Sequence, residues 1–155
     1  MDTGDQTSAE MADITFAQMM IPHHEQAVVM SEYALVNTDN PQVLTLAQEI
    51  IDAQGPEIEQ MNAILNRFGA DMGGHGGHTM AGMLTGEELA ALQAAQGPEF
   101  DQLFLLGMIA HHEGAIDMAK DALASGADPE VRALAEIIIA GQQSEIELMQ
   151  KIFAG

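Results

Sequence analysis

Two stretches of this chain carry the same set of donor atoms. Met20, His23, His24 and Glu25 recur as Met108, His111, His112 and Glu113. A paired imidazole beside a thioether is a soft-to-borderline ligand set. Imidazole suits Cu, Zn, Fe and Ni, and thioether sulfur selects Cu(I) among the common biological metals. Further donors follow in each half: Met30, Glu57 and Met61 in the first, Met118, Glu145 and Met149 in the second. A third group sits between the halves, where Met72, His75, His78, Met80 and Met83 are spaced by glycines. That segment offers two imidazoles and three thioethers but a single carboxylate, Asp71. It is poorly suited to Ca²⁺ or Mg²⁺, which take oxygen ligands, and better suited to capturing copper.

These groups repeat at a fixed interval of 88 residues, and the register holds without a gap from 13 to 65. Phe16 answers Phe104, Pro41 answers Pro129, Gln54 answers Gln142, and Glu57-Ile58-Glu59 answers Glu145-Ile146-Glu147. Each copy reads as helix, short turn, helix. The first helix is expected over 8–37, opened by a capping box from Thr7 to Glu10. The second starts at Asn40-Pro41, a capping residue before a proline suited to the first helical position, and stops before Gly69. In the second copy the helices are expected over 98–124, closed by Ser125-Gly126, and from Asp128-Pro129 to 153. A His/Met/Gly-rich linker, 69–84, precedes a short helix within 85–96 that Thr85 and Glu88 would cap. The expected architecture is all-α, a single-domain four-helix bundle of two helical hairpins.

At about 100° per residue, Phe16, Met20, His23, Ala27, Met30 and Ala34 share the inward stripe of their helix. His24 falls at its edge, and Glu25 points away. The partner stripe holds Val43, Ala47, Ile50, Gln54, Glu57, Ile58, Met61 and Leu65. A carboxylate on such a stripe needs a partner or a metal, and His23 or His24 is the obvious partner for Glu57. A buried His–Glu hydrogen bond alone would also account for that pair. Pro22 and Gly55-Pro56 interrupt the hydrogen-bond ladder beside the polar layer, a pattern met both at sites and in ordinary helix bending.

Composition narrows the function. The net charge is -20, and the basic residues are Arg67, Lys120, Arg132 and Lys151. No basic patch for nucleic acid or an anionic membrane can be assembled from them, whereas the acidic field attracts metal ions. Cysteine is absent, so thiolate zinc sites, iron–sulfur clusters and disulfides are excluded. No apolar run is long enough to span or insert into a membrane. Apolar residues make up 47% but aromatics only 4%, which leaves an aliphatic core with methionine, 12 residues of it, as filler. No protein partner is indicated.

The stretches FAQMMIPHHEQAVVMSEYAL and FLLGMIAHHEGAIDMAKDAL, each followed by a Gln…Glu…Met helix, carry a resemblance. The chain resembles a family of small secreted bacterial proteins, filed as a domain of unknown function, with a ferritin-like helical fold and tandem HH motifs. That family includes a periplasmic copper-binding protein. The resemblance covers 11–67 and 100–153. It implies a secreted or periplasmic protein whose signal peptide is not present in this chain, and a non-catalytic role in copper binding and tolerance. The loop 71–83 is outside the shared motif. A di-metal oxidase is the competing expectation, since ferritin-like bundles often hold di-iron centres. Those centres use four carboxylates and two Glu-x-x-His motifs, whereas Met20 and Met108 stand three residues before His23 and His111.

Overall fold

The computed structural model describes residues 4–71 and 80–155. Among them are five helices: α1 Gly4–Asn37, α2 Pro41–Phe68, α3 Gly86–Ala94, α4 Gly97–Ser125 and α5 Pro129–Ala154. The four long helices form two antiparallel hairpins, α1–α2 and α4–α5. The hairpins meet mainly through α1 and α4, and α2 touches α5 far less.

Local chemistry sets most helix ends. Asn40 accepts hydrogen bonds from the amides of Gln42 and Val43, and Gly69 closes α2 in the left-handed conformation at φ 69°. Thr85 and Glu88 form the reciprocal capping box of α3. The start of α1 differs from expectation. The helix already runs at Gly4, so Thr7 lies inside it rather than at its cap. Both prolines are also accommodated without a break, since α1 is continuous through Pro22 and α2 through Pro56.

Gly126 ends α4 for a reason unrelated to backbone freedom. It is extended, at φ -86°. A Cβ there would stand 2.1 Å from Asp13 Oδ1. The missing side chain lets the buried Asp13 of α1 accept from the amides of Ala127 (3.2 Å) and Asp128 (2.9 Å). The repeat supplies the converse clasp. Asp101 of α4 accepts from Thr38 Oγ1 at 2.5 Å and Asn40 Nδ2 at 3.2 Å, in the α1–α2 turn. Each hairpin thus holds the other's turn by a carboxylate at the same position of the repeat. Arg67 adds a tie from α2 to Asp128 and Glu130.

The apolar core divides into two clusters. One contains Met30, Met108 and Met149 with Val43, Leu46, Ile50, Phe100 and Phe104. The other contains Met20 and Met61 with Phe16, Ile64, Leu134 and Ile138, and Met118 packs against it. The repeat exchanges these two sets of methionines.

The segment 80–84 lies across the α1–α4 seam as a strap. The backbone of Leu84 is gripped twice by Gln26, which donates to its carbonyl at 3.1 Å and accepts from its amide at 2.8 Å. At Gly82, with φ 76°, a Cβ would meet the Ala110 carbonyl oxygen at 2.2 Å. At Gly114 it would meet the Ala81 carbonyl oxygen at 1.9 Å. The glycine-rich segment is more than a flexible carrier of donors: its C-terminal end has a core face, with Met80 buried and Met83 half-buried.

Glycine should therefore matter unequally along the helices. Gly114→Ala is expected to destabilise by about 1–3 kcal/mol, as overpacking does. Gly141→Ala, where a Cβ meets open space, should stabilise by roughly 0.5–1 kcal/mol through helix propensity. Urea unfolding of the two variants checks this, and equal effects would mean that the strap is not seated on α4.

Candidate metal centre

α1 and α4 cross where the two motifs lie. His23, His24, His111 and His112 are all buried, at 0–1% exposure, so neither member of a pair is the outer one. The rings of His23 and His111 meet with centroids 3.9 Å apart and planes inclined at 37°. Outside this contact, His24 Nε2 lies 2.7 Å from Glu57 Oε1, and His112 Nε2 lies 2.6 Å from Glu145 Oε1. Both carboxylates come from the second helix of the same hairpin, and both side chains keep 17% exposure. They are half-buried rather than buried, so their cost is smaller than a fully interior carboxylate would incur. Gln54 and Gln142 complete the polar layer, each with a buried side-chain oxygen. Glu25 and Glu113 face solvent.

The hydrogen bonds fix the tautomers. A carboxylate or a carbonyl only accepts, so the nitrogen facing it carries the proton. Nε2 of His24 donates to Glu57, Nε2 of His112 to Glu145, and Nε2 of His23 to the Ala81 carbonyl at 2.8 Å. Nδ1 of each ring then bears a lone pair. Among the described residues none of these three Nδ1 atoms has a hydrogen-bond partner, and both nitrogens of His111 are without one. A buried polar atom left unsatisfied costs about 1–3 kcal/mol, and here several lie in one layer. A carboxylate behind an imidazole, with the other nitrogen free, is the outer-shell arrangement of metal-binding histidines.

Burial keeps the two central rings, His23 and His111, neutral. Burial lowers the pKa of His23 from 6.5 to about 4, reinforced by the neighbouring His24 and His112 and opposed by its bond to Ala81. Burial also carries His111 well below its ordinary value, with His23 as the next contributor. Neutral imidazoles repel a cation least and offer the lone pairs it needs.

The remaining expected ligands are sorted by the fold. Met20, Met30, Met61, Met108 and Met149 are fully buried, in the two apolar clusters that flank the His layer. Met118 is half-buried. Met80 lies one residue from Ala81, at the strap. Met72, His75 and His78 fall outside the described residues. Among the described residues, no three His, Asp or Glu groups converge as a metal site. A ligand set must therefore recruit thioethers or rotate the rings. Residue-type reasoning missed Asp13, Asp101, Gln26 and Gly114. The identity of Asp13 and Asp101 in the repeat, and the mismatch of Gln26 with Gly114, were the available signals.

The chain matches the family described as "Domain of unknown function (DUF305)" over residues 13–153. Solved structures with the same fold include a presumed secreted DUF305 protein from Streptomyces coelicolor, 31% identical, with a TM-score of 0.88 and coverage of 94% of both chains. A DUF305 fragment from Deinococcus radiodurans is 32% identical, with a TM-score of 0.86, and covers 92% of this chain and 95% of that one. CopM in its Cu(II)-bound form is 33% identical, with a TM-score of 0.79 and the same coverages. CopM has also been solved with Cu(I) and with silver. An uncharacterised protein, L153, of Acanthamoeba polyphaga mimivirus is 40% identical over 60 residues, 39% of this chain, and the match spans 40% of that protein's length. No helix among the described residues is long and apolar enough to cross a membrane.

The depressed imidazole pKa values give a pH dependence of definite sign. The unfolded chain binds protons at His23 and His111 near pH 6.5, and the folded chain does so only at lower pH. Stability from this source is complete above about pH 6.5 and is lost as pH falls toward 4, by up to about 1.4 kcal/mol per pH unit for each ring. Neutralising the acidic surface acts in the opposite sense, so the comparison is between the native chain and a His23→Gln/His111→Gln variant. The native chain should lose more unfolding free energy between pH 7 and 5 than the variant. Parallel pH profiles would refute the assignment.

Proposed function

The chain belongs to the DUF305 family, and from that premise and the buried imidazole layer we propose that it is a non-catalytic, extracytoplasmic copper-binding protein. Its task on this reading is sequestration, buffering or handover of copper, with Cu(I) favoured and Cu(II) accommodated. The observation that carries the proposal is the set of buried Nδ1 lone pairs left without donors among the described residues, on rings oriented by Glu57, Glu145 and the strap. The copper-bound structures of CopM support the choice of metal. The thioethers of Met20 and Met108 precede the layer by three residues on the same helix faces, and such donors favour Cu(I) over Zn²⁺.

Two other readings start from particular features. The His24–Glu57 and His112–Glu145 bonds would serve equally as clamps within each hairpin, with no metal involved. A di-iron oxidase would need two further carboxylates in the layer, and the other acidic residues of the motifs, Glu25 and Glu113, face solvent.

Two sets of substitutions separate ligands from packing. Met20→Leu with Met108→Leu keeps side-chain volume and should cost under about 1.5 kcal/mol of stability, while Cu(I) affinity falls. Replacing His23, His24, His111 and His112 by Gln should weaken Cu(I) and Cu(II) alike. Both are read by anaerobic competition with a chromophoric chelator, alongside thermal melts of the metal-free proteins. Unchanged copper affinity in both sets, with stability lost only in the His set, would establish the clamp instead. Zinc retained as tightly as Cu(I) would count against copper.

A further inference from the structure

The strap and α3 cover only one of two equivalent grooves along the α1–α4 seam. In the covered groove Leu84 approaches Gly107, where a Cβ would stand 3.4 Å from its side chain, and Met30 is sealed to 0% exposure. The repeat-related groove has no such cover among the described residues. Its cavity, of about 370 Å³, is lined by Met11, Met19, Met118, Phe16 and Asp121, among others. Met118 is the repeat counterpart of Met30, yet it is half-buried, as is Met19, while Met11 is 59% exposed.

Core packing does not call for Met11 and Met19, and Met118 meets the core along only part of its side chain. The positions equivalent to Met11 and Met19 hold Glu99 and Gly107, so the bundle folds the other half without methionine there. The three sulfurs lie at compatible heights. Met11 and Met19 are two turns apart on α1, about 12 Å. α1 and α4 run antiparallel, with His23 beside His111 and Asp13 beside Gly126, which sets Met118 at a level between them. Methionine has three rotatable bonds and adapts its reach.

We propose that Met11, Met19 and Met118, with the Asp121 carboxylate at the rim, form a separate, solvent-open thioether site for Cu(I). Sulfur ligation selects the soft ion, and the surrounding negative charge concentrates cations at the mouth. The site shares no residue with the His layer. It stands or falls independently of the function proposed above.

Silver(I), a redox-inert stand-in for Cu(I), tests it in nitrate buffer. In the full chain labelled at methionine methyl carbons, the Met11, Met19 and Met118 signals should move together and saturate at one equivalent. The histidine ring signals report the inner layer separately in the same titration. A Met11→Leu/Met19→Leu/Met118→Leu variant should keep the native melting temperature within a few degrees and bind one Ag(I), and one Cu(I), fewer per chain. The site is refuted if the three methyl signals stay still, if they move at different metal ratios, or if the triple variant loses no equivalent. Loss of one Ag(I) without loss of a Cu(I) would also overturn the assignment to copper.

Discussion

The arrangement depends on four imidazoles buried at one helix crossing. Each ring brings two nitrogens into an aliphatic core, and among the described residues well-formed hydrogen bonds engage three of the eight. Glu57, Glu145 and the Ala81 carbonyl each take one N–H. Burial then holds His23 and His111 in the neutral form. The result is a polar layer rich in lone pairs, with two uncharged rings at its centre, between two clusters of aliphatic side chains and methionine. Such a layer lowers the stability of the metal-free bundle, and a bound cation is one of few partners able to recover that loss.

Strong constraint elsewhere offsets the unsatisfied layer. Asp13 and Asp101 each reach from one hairpin into the turn of the other, so the hairpins cannot slide along the seam without breaking both clasps. Arg67 links α2 to the start of α5 by paired hydrogen bonds to Asp128. These contacts fix the register that sets His23 against His111. The polar site is thus held from its ends rather than from within.

The pseudo-twofold symmetry is broken at the seam, and the break has a chemical consequence. Gln26 and Gly114 occupy equivalent positions of the repeat. One grips the strap by its side chain, and the other admits the strap backbone by having none. His23 therefore donates to a strap carbonyl, and His111 has no such strap partner among the described residues. The two halves of the site are inequivalent although their motifs are identical. The same strap seals Met30 while Met118, its counterpart, remains open to a solvent groove.

The sequence by itself determined the helices, their order and the polar layer. Periodicity placed His23, Met20 and Met30 on one face, and the exact 88-residue repeat required that a second such face exist. Asn40-Pro41, Asp128-Pro129 and Thr85…Glu88 marked helix starts because capping is local chemistry. Thr7 failed as a cap because the helix already runs from Gly4, which puts Thr7 within its first turn. Only the tertiary structure decided which His pairs with Glu and which His meets its own copy, because both outcomes lie within one turn of the same helix face. It alone decided that Gly114 and Gly126 are glycine to admit a carbonyl and a carboxylate, since those neighbours are distant in sequence. The sorting of methionines into two sealed clusters and one open groove follows from where α3 docks, and helix docking depends on the fit between two surfaces that periodicity cannot specify.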